Sequence, residues 1–128
     1  MLAPATIALV GITACTCKGT EGTALAQDVG LARQWSLVPG ARLVSSSQPS
    51  RRQWSLEVSW ELESDQSWPS YRAGLERAIP AGYVAVPGSE RSASFRKSFV
   101  GDTYYLRVEV LTAGPPLRVA VTFVAQAG

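Results

Sequence analysis

The chain has no histidine, so the commonest general base, proton shuttle and metal ligand is missing. Ser-His-Asp, Cys-His and His-metal sites are thereby excluded. Charge is sparse as well: 12 Lys and Arg against 10 Asp and Glu in 128 residues give a net +2. The basic residues are scattered, without the clustered footprint of a nucleic-acid binder, so no nucleic-acid partner is expected. Leu2 to Ala14 holds no charged side chain at all, and every charged residue follows Cys15. Those thirteen residues fall short of the roughly 20 that a helix needs to span a bilayer. What remains is a hydrophobic fraction of 46%, enough for one folded domain with a real core.

The uncharged leader has the length of a secretory h-region. It ends in Ile12-Thr13-Ala14-Cys15, a branched apolar residue, a polar one, a small one and a cysteine. This tetrad resembles the lipobox of bacterial lipoproteins. The resemblance covers the leader only and implies cleavage before Cys15, with a diacylglycerol on its thiol. That family's signals open on Lys or Arg, whereas Met1-Leu2-Ala3-Pro4 offers the terminal amine alone. An apolar tail packed on the domain is the other reading of the leader. Under the first, residues 1–14 are a signal peptide and the mature protein is anchored to a membrane of the cell envelope, facing the periplasm or the outside.

Cys15-Thr16-Cys17 is not expected to form a disulfide, because the two Cα atoms of an extended tripeptide lie about 7 Å apart and their side chains diverge. Nor do two thiolates with no His and no nearby Met make a metal site. No metal and no cofactor are expected. Residues 15–34, rich in Gly, Thr and Ala, read as a lipidated N-terminus and flexible tether, with at most a short helix over 23–33 that Gly30 weakens.

Residues 35–128 read as a single domain. Ala41 to Ser46 is a short edge strand. From Trp54 to Ser64 a strict alternation sets Trp54, Leu56, Val58, Trp60 and Leu62 on one face and Glu57, Glu61 and Glu63 on the other, a strand with one buried face. We take it as the central strand. Ser67 is the expected N-cap of a helix with Pro69 in its first turn and an apolar stripe of Trp68, Tyr71, Leu75, Ala78 and Ile79, stopped by Pro80 and Gly82. Strands over 82–86, 92–100, 103–110 and 117–123 follow. Gly101-Asp102 has the order of a type II′ hairpin loop, which places Phe95 opposite Val108. Lys97 then falls on the inward face, where a bulge would turn it out or its stem would pack inside and the ammonium reach the rim. The whole is α+β: one amphipathic helix packed on a curved antiparallel sheet of about five to six strands.

No constellation specifies a reaction, so a membrane-tethered binding or assembly module with an envelope protein partner is the first functional expectation. A small-ligand carrier would use a cavity between helix and sheet lined by Trp60, Trp68, Tyr71 and Phe95. A carboxylate hydrolase would use Glu57, Glu61 and Glu63, since residues two apart on a strand lie about 6.5–7 Å apart, within the range for paired carboxylates.

Overall fold

The computed structural model describes residues 17–127, and the leader, the lipobox and Cys15 lie outside the described residues. Among the described residues, two helices and seven strands follow in the order α1 (Cys17–Leu37), β1 (Ala41–Ser46), β2 (Ser50–Arg51), β3 (Ser55–Ser64), α2 (Trp68–Arg77), β4 (Val84–Val86), β5 (Ser92–Phe99), β6 (Asp102–Thr112) and β7 (Leu117–Ala127). The fold is α+β with an antiparallel sheet, but the sheet has seven strands where five to six were expected, and α1 is an additional long helix. The chain divides into two compact units at Leu31 and Ala32, and α1 ends inside the second. The stretch read as a spacer is thus helical from Cys17, and the second compact unit opens at Ala32. Pro39 disfavours helix for Val38, and Gly40, at φ 94°, turns the chain into β1.

The strand order is β1-β3-β7-β6-β5-β4, with β2 joining β1 along the outer edge of β3. β3 is therefore next to an edge, and β7 and β6 hold the middle. The long alternation was mistaken for centrality because a strand needs only one buried face, not two long neighbours, to alternate. The alternation itself is real: Leu56, Val58, Trp60, Leu62 and Ser64 are buried, opposite Ala125, Phe123, Val121, Val119 and Leu117 of β7. Trp54 is the exception. It stands one residue before β3 begins, in a turn closed by Arg52 N–H donating to the Ser55 carbonyl, and is 67% exposed.

The β5–β6 hairpin pairs Phe95 with Leu106, Lys97 with Tyr104 and Phe99 with Asp102. The loop is consequently Val100-Gly101, not Gly101-Asp102, and both residues have positive φ, 31° and 83°. That is the type I′ signature, which Asn and Gly suit and a β-branched residue does not. The register differs by two residues from the expected one, so every side chain keeps its face. Val100→Asn is expected to raise stability by about 1 kcal/mol, the lower end of what a strained backbone stores. Urea unfolding checks this, and an unchanged or lower midpoint would contradict it.

Ser67 caps α2 as expected, its hydroxyl accepting from Ser70 N–H at 3.3 Å, with Pro69 in the first turn. Tyr71 and Leu75 form its buried side. They do not meet the sheet alone, because the end of α1 joins the two: Trp35 packs on Phe95 at 4.7 Å and Tyr83 at 5.2 Å, while its indole N–H donates to the Leu75 carbonyl at 3.0 Å.

Candidate functional site

Four groups of chemistry-bearing residues can be placed. The first comprises the aromatics expected to line a ligand cavity. Trp60, Tyr71 and Phe95 are core residues, each no more than 2% exposed. Trp60 Nε1 donates to Ser36 Oγ at 3.0 Å, the Tyr71 hydroxyl donates to the Ser36 carbonyl at 2.6 Å, and Ser36 Oγ donates to the Arg33 carbonyl at 2.7 Å. Arg33 lays its guanidinium over the Trp60 ring, 5.2 Å from the centroid. These side chains are engaged with the end of α1 and with one another. Trp68 is set apart: half-buried, it donates to the Glu90 carbonyl at 2.8 Å and, with Arg72 donating to the Ser89 carbonyl, ties α2 to the loop before β5.

Burial pushes the Tyr71 phenol above its ordinary pKa. An unfolded chain ionises tyrosine near pH 10, so above that pH the unfolded state binds fewer protons than the folded one, and stability falls as pH rises, by up to about 1.4 kcal/mol per pH unit. Tyr71→Phe is expected to cost about 1 kcal/mol at pH 7, for the lost bond to Ser36, and to flatten the decline above pH 10. Urea unfolding at pH 7 and at pH 11 measures both effects.

The second group is the outward face of β3. Glu61 and Glu63 both meet Arg118 at 3.6 Å, and Glu63 also meets Arg42 at 2.9 Å, which in turn reaches Asp65 at 3.4 Å. The hydrogen bond to Glu63 raises the Arg42 pKa further above its usual value. Two of the three glutamates considered for hydrolysis are therefore tied to arginines on a half-exposed sheet face; Glu57, exposed, faces Val124 and Ser50 in the pairing.

Lys97 makes the third. No bulge interrupts β5, and the side chain stays on the inward face, where its stem runs past Gly82. A Cβ at Gly82 would lie 3.2 Å from Lys97 Cε, so the glycine makes room for the lysine. The ammonium reaches the rings of Tyr83 and Tyr104, 5.6 and 5.9 Å from their centroids. Of the two outcomes foreseen, the stem packs and the head is held at the rim by aromatic faces.

The fourth lies at one end of the sheet, where the β2–β3 turn, the β5–β6 loop and the end of β7 come together. Arg52, Gln53, Trp54, Ser55, Gln126 and Ala127 line an open concavity of about 410 Å³. Ala127 N–H donates to the Trp54 carbonyl at 2.8 Å, which fixes the backbone while the indole stays in solvent. The sequence pattern hid this site by assigning Trp54 to the buried face.

Among the described residues, no group of three or more His, Cys, Asp or Glu could hold a metal ion, and no helix is long and apolar enough to cross a membrane. No family model matches the chain, and no curated protein matches it. A solved structure, the crystal structure of TTHA0849 from Thermus thermophilus, is similar at a TM-score of 0.24 and 14% identity, over 82% of this chain. The chain spans 64% of the length of that protein, and the likeness is too slight to carry a fold or an activity across.

Proposed function

We propose that the chain is a small exported lipoprotein, tethered through Cys15 to a membrane of the cell envelope, and that it serves there as a binding or assembly module. The address rests on the uncharged leader and Ile12-Thr13-Ala14-Cys15. Binding at the surface, rather than carriage or hydrolysis, is supported by one observation above all: Trp54, 67% exposed, stands in an open concavity while the four aromatics of the expected cavity, Trp60, Trp68, Tyr71 and Phe95, are packed or hydrogen-bonded. A carrier would need Trp60, Tyr71 and Phe95 to face a ligand, and any catalytic pair among the three glutamates would have to include Glu61 or Glu63, which Arg118 and Arg42 already engage.

The test is expression in a bacterial host, followed by membrane fractionation and mass spectrometry. A diacylglycerol brings two acyl chains, and at about 0.8 kcal/mol per buried CH₂ two chains hold a protein at the bilayer where one would be marginal. The expected product is cut before Cys15 and carries the lipid there. Cys15→Ser is expected to release the protein from the membrane fraction or leave it uncut, and Cys17→Ser to change nothing. An intact, unlipidated chain beginning at Met1 in the soluble fraction would refute the anchor.

A further inference from the structure

We infer that the sheet end carrying Trp54 and Val100 docks on an anionic lipid bilayer, as a second membrane contact of the anchored protein. The inference rests on the proposed tether only in placing the domain beside a bilayer.

Two large apolar side chains are exposed at this end, Trp54 at 67% and Val100 at 89%. They belong to different turns, yet the register brings them together: Trp54 is bonded to Ala127, Ala127 pairs with Asp102, and Asp102 follows the Val100-Gly101 loop. Two to three strand spacings of about 4.8 Å separate them, roughly 10–14 Å, a span that one flat surface can cover. Arg51 and Arg52, both exposed, stand beside Trp54. Asp102, half-buried at the base of the loop, is the acidic residue of the tip.

Val100 is the observation that the fold leaves unexplained. Its φ of 31° is one a β-branched residue adopts at a cost, and its side chain is almost wholly in solvent, so neither the backbone nor the core favours valine there. A hairpin tip that keeps a branched apolar residue where asparagine or glycine would be easier suits a tip that meets an apolar medium. The indole of Trp54 suits the headgroup level of a bilayer, with an apolar body and one N–H donor. Arginines beside it can reach phosphate oxygens in pairs of hydrogen bonds while their stems lie along the apolar surface. The exposed Leu43 and Val44 of β1 lack this setting, since the neighbouring Arg42 is already held by Glu63 and Asp65.

Tryptophan emission of the full-length chain with vesicles of phosphatidylglycerol and phosphatidylcholine brominated in their acyl chains tests this. Trp35 and Trp60 are buried and Trp68 is half-buried with its indole N–H bonded to the Glu90 carbonyl, so bromine in the bilayer reports chiefly on Trp54, and the emission left in Trp54→Phe gives the share of Trp68. Quenching is expected in the parent, lost in Trp54→Phe and weakened in Val100→Asn, a variant expected to fold more stably. Neutralising the arginines, Arg51→Gln and Arg52→Gln, is expected to raise the lipid needed for half-maximal quenching about fivefold for each. Unquenched emission in excess lipid, whether Cys15 is lipidated or bare, would overturn the inference and leave a protein partner as the occupant of the concavity. Equal quenching in Trp54→Phe, or on purely phosphatidylcholine vesicles, would do the same. Mass spectrometry of the same sample reports the state of Cys15, so failure of the anchor and failure of the tip are read separately.

Discussion

Trp60→Ala is expected to destabilise the protein by about 3–5 kcal/mol, the range for removing a large buried aromatic. Trp60 is 2% exposed on β3, opposite Val121 of β7, and its loss leaves a hole in the inner layer that a sheet pinned on both sides of β3 cannot collapse. The ring also holds polar groups in place: it gives Ser36 Oγ a donor and lies under the guanidinium of Arg33. Ser36 Oγ still donates to the Arg33 carbonyl after the change, so the polar loss is small and the cavity dominates. Thermal unfolding should move down by at least about 12 °C, at about 4 °C per kcal/mol. A midpoint within a few degrees of the parent would mean that Trp60 is not part of the core. Trp54→Ala is the informative comparison, since an exposed indole contributes little and that variant should unfold like the parent.

Those two tryptophans mark how far the sequence could be read. The alternation from Leu56 to Leu62 reports a buried face directly, because a strand's side chains have a period of two, and the structure keeps it. The same alternation runs on to Trp54 without any sign that the strand has ended, because the end is set by a turn bond between Arg52 and Ser55 that no side-chain pattern records. Period two also hides slips of two residues: Phe95 was placed on the correct face but opposite the wrong partner, Val108 for Leu106. α2 was legible because its signals are local, with a serine cap, a proline in the first turn and Tyr71 and Leu75 four apart. Lys97 was legible as an anomaly, though the aromatic pair that receives its ammonium lies outside β5, with Tyr83 just before β4 and Tyr104 across the hairpin on β6.

The end of α1 was not legible. Among its described side chains the buried ones, Ala32, Trp35 and Ser36, share one side of a helix, but one is small and one polar, and the sequence of the helix gathers its apolar residues into no stripe. The available signal was the spacing of a single aromatic with a small residue three positions before it, too little to separate a docked turn from a spacer. The candidate site at Trp54 and Val100 was missed for the opposite reason: Trp54 continued the apolar face of β3 and looked like core, while Val100 was read only as the last residue of a strand.

Trp35→Ala is expected to cost as much as Trp60→Ala, about 3–5 kcal/mol, although Trp35 lies outside the sheet and α2 alike. The ring meets Phe95 edge-on at 4.7 Å and Tyr83 at 5.2 Å, and it is the aromatic link between the inner face of the sheet and α2. Trp35→Phe separates packing from hydrogen bonding. It keeps most of the buried ring and loses the indole N–H, whose acceptor, the Leu75 carbonyl, still receives the Ala78 N–H at 3.2 Å, so no buried acceptor is stranded. The cost of that change should be near 1 kcal/mol. Native-state hydrogen exchange locates the effect: in Trp35→Ala the amides of residues 34–37 should lose protection to a greater extent than those of β6 and β7, because the helix end depends on this anchor while the central strands keep their ladders on both sides. Equal protection of residues 34–37 in parent and variant would mean that the turn is held by something other than Trp35, and that the domain begins after it.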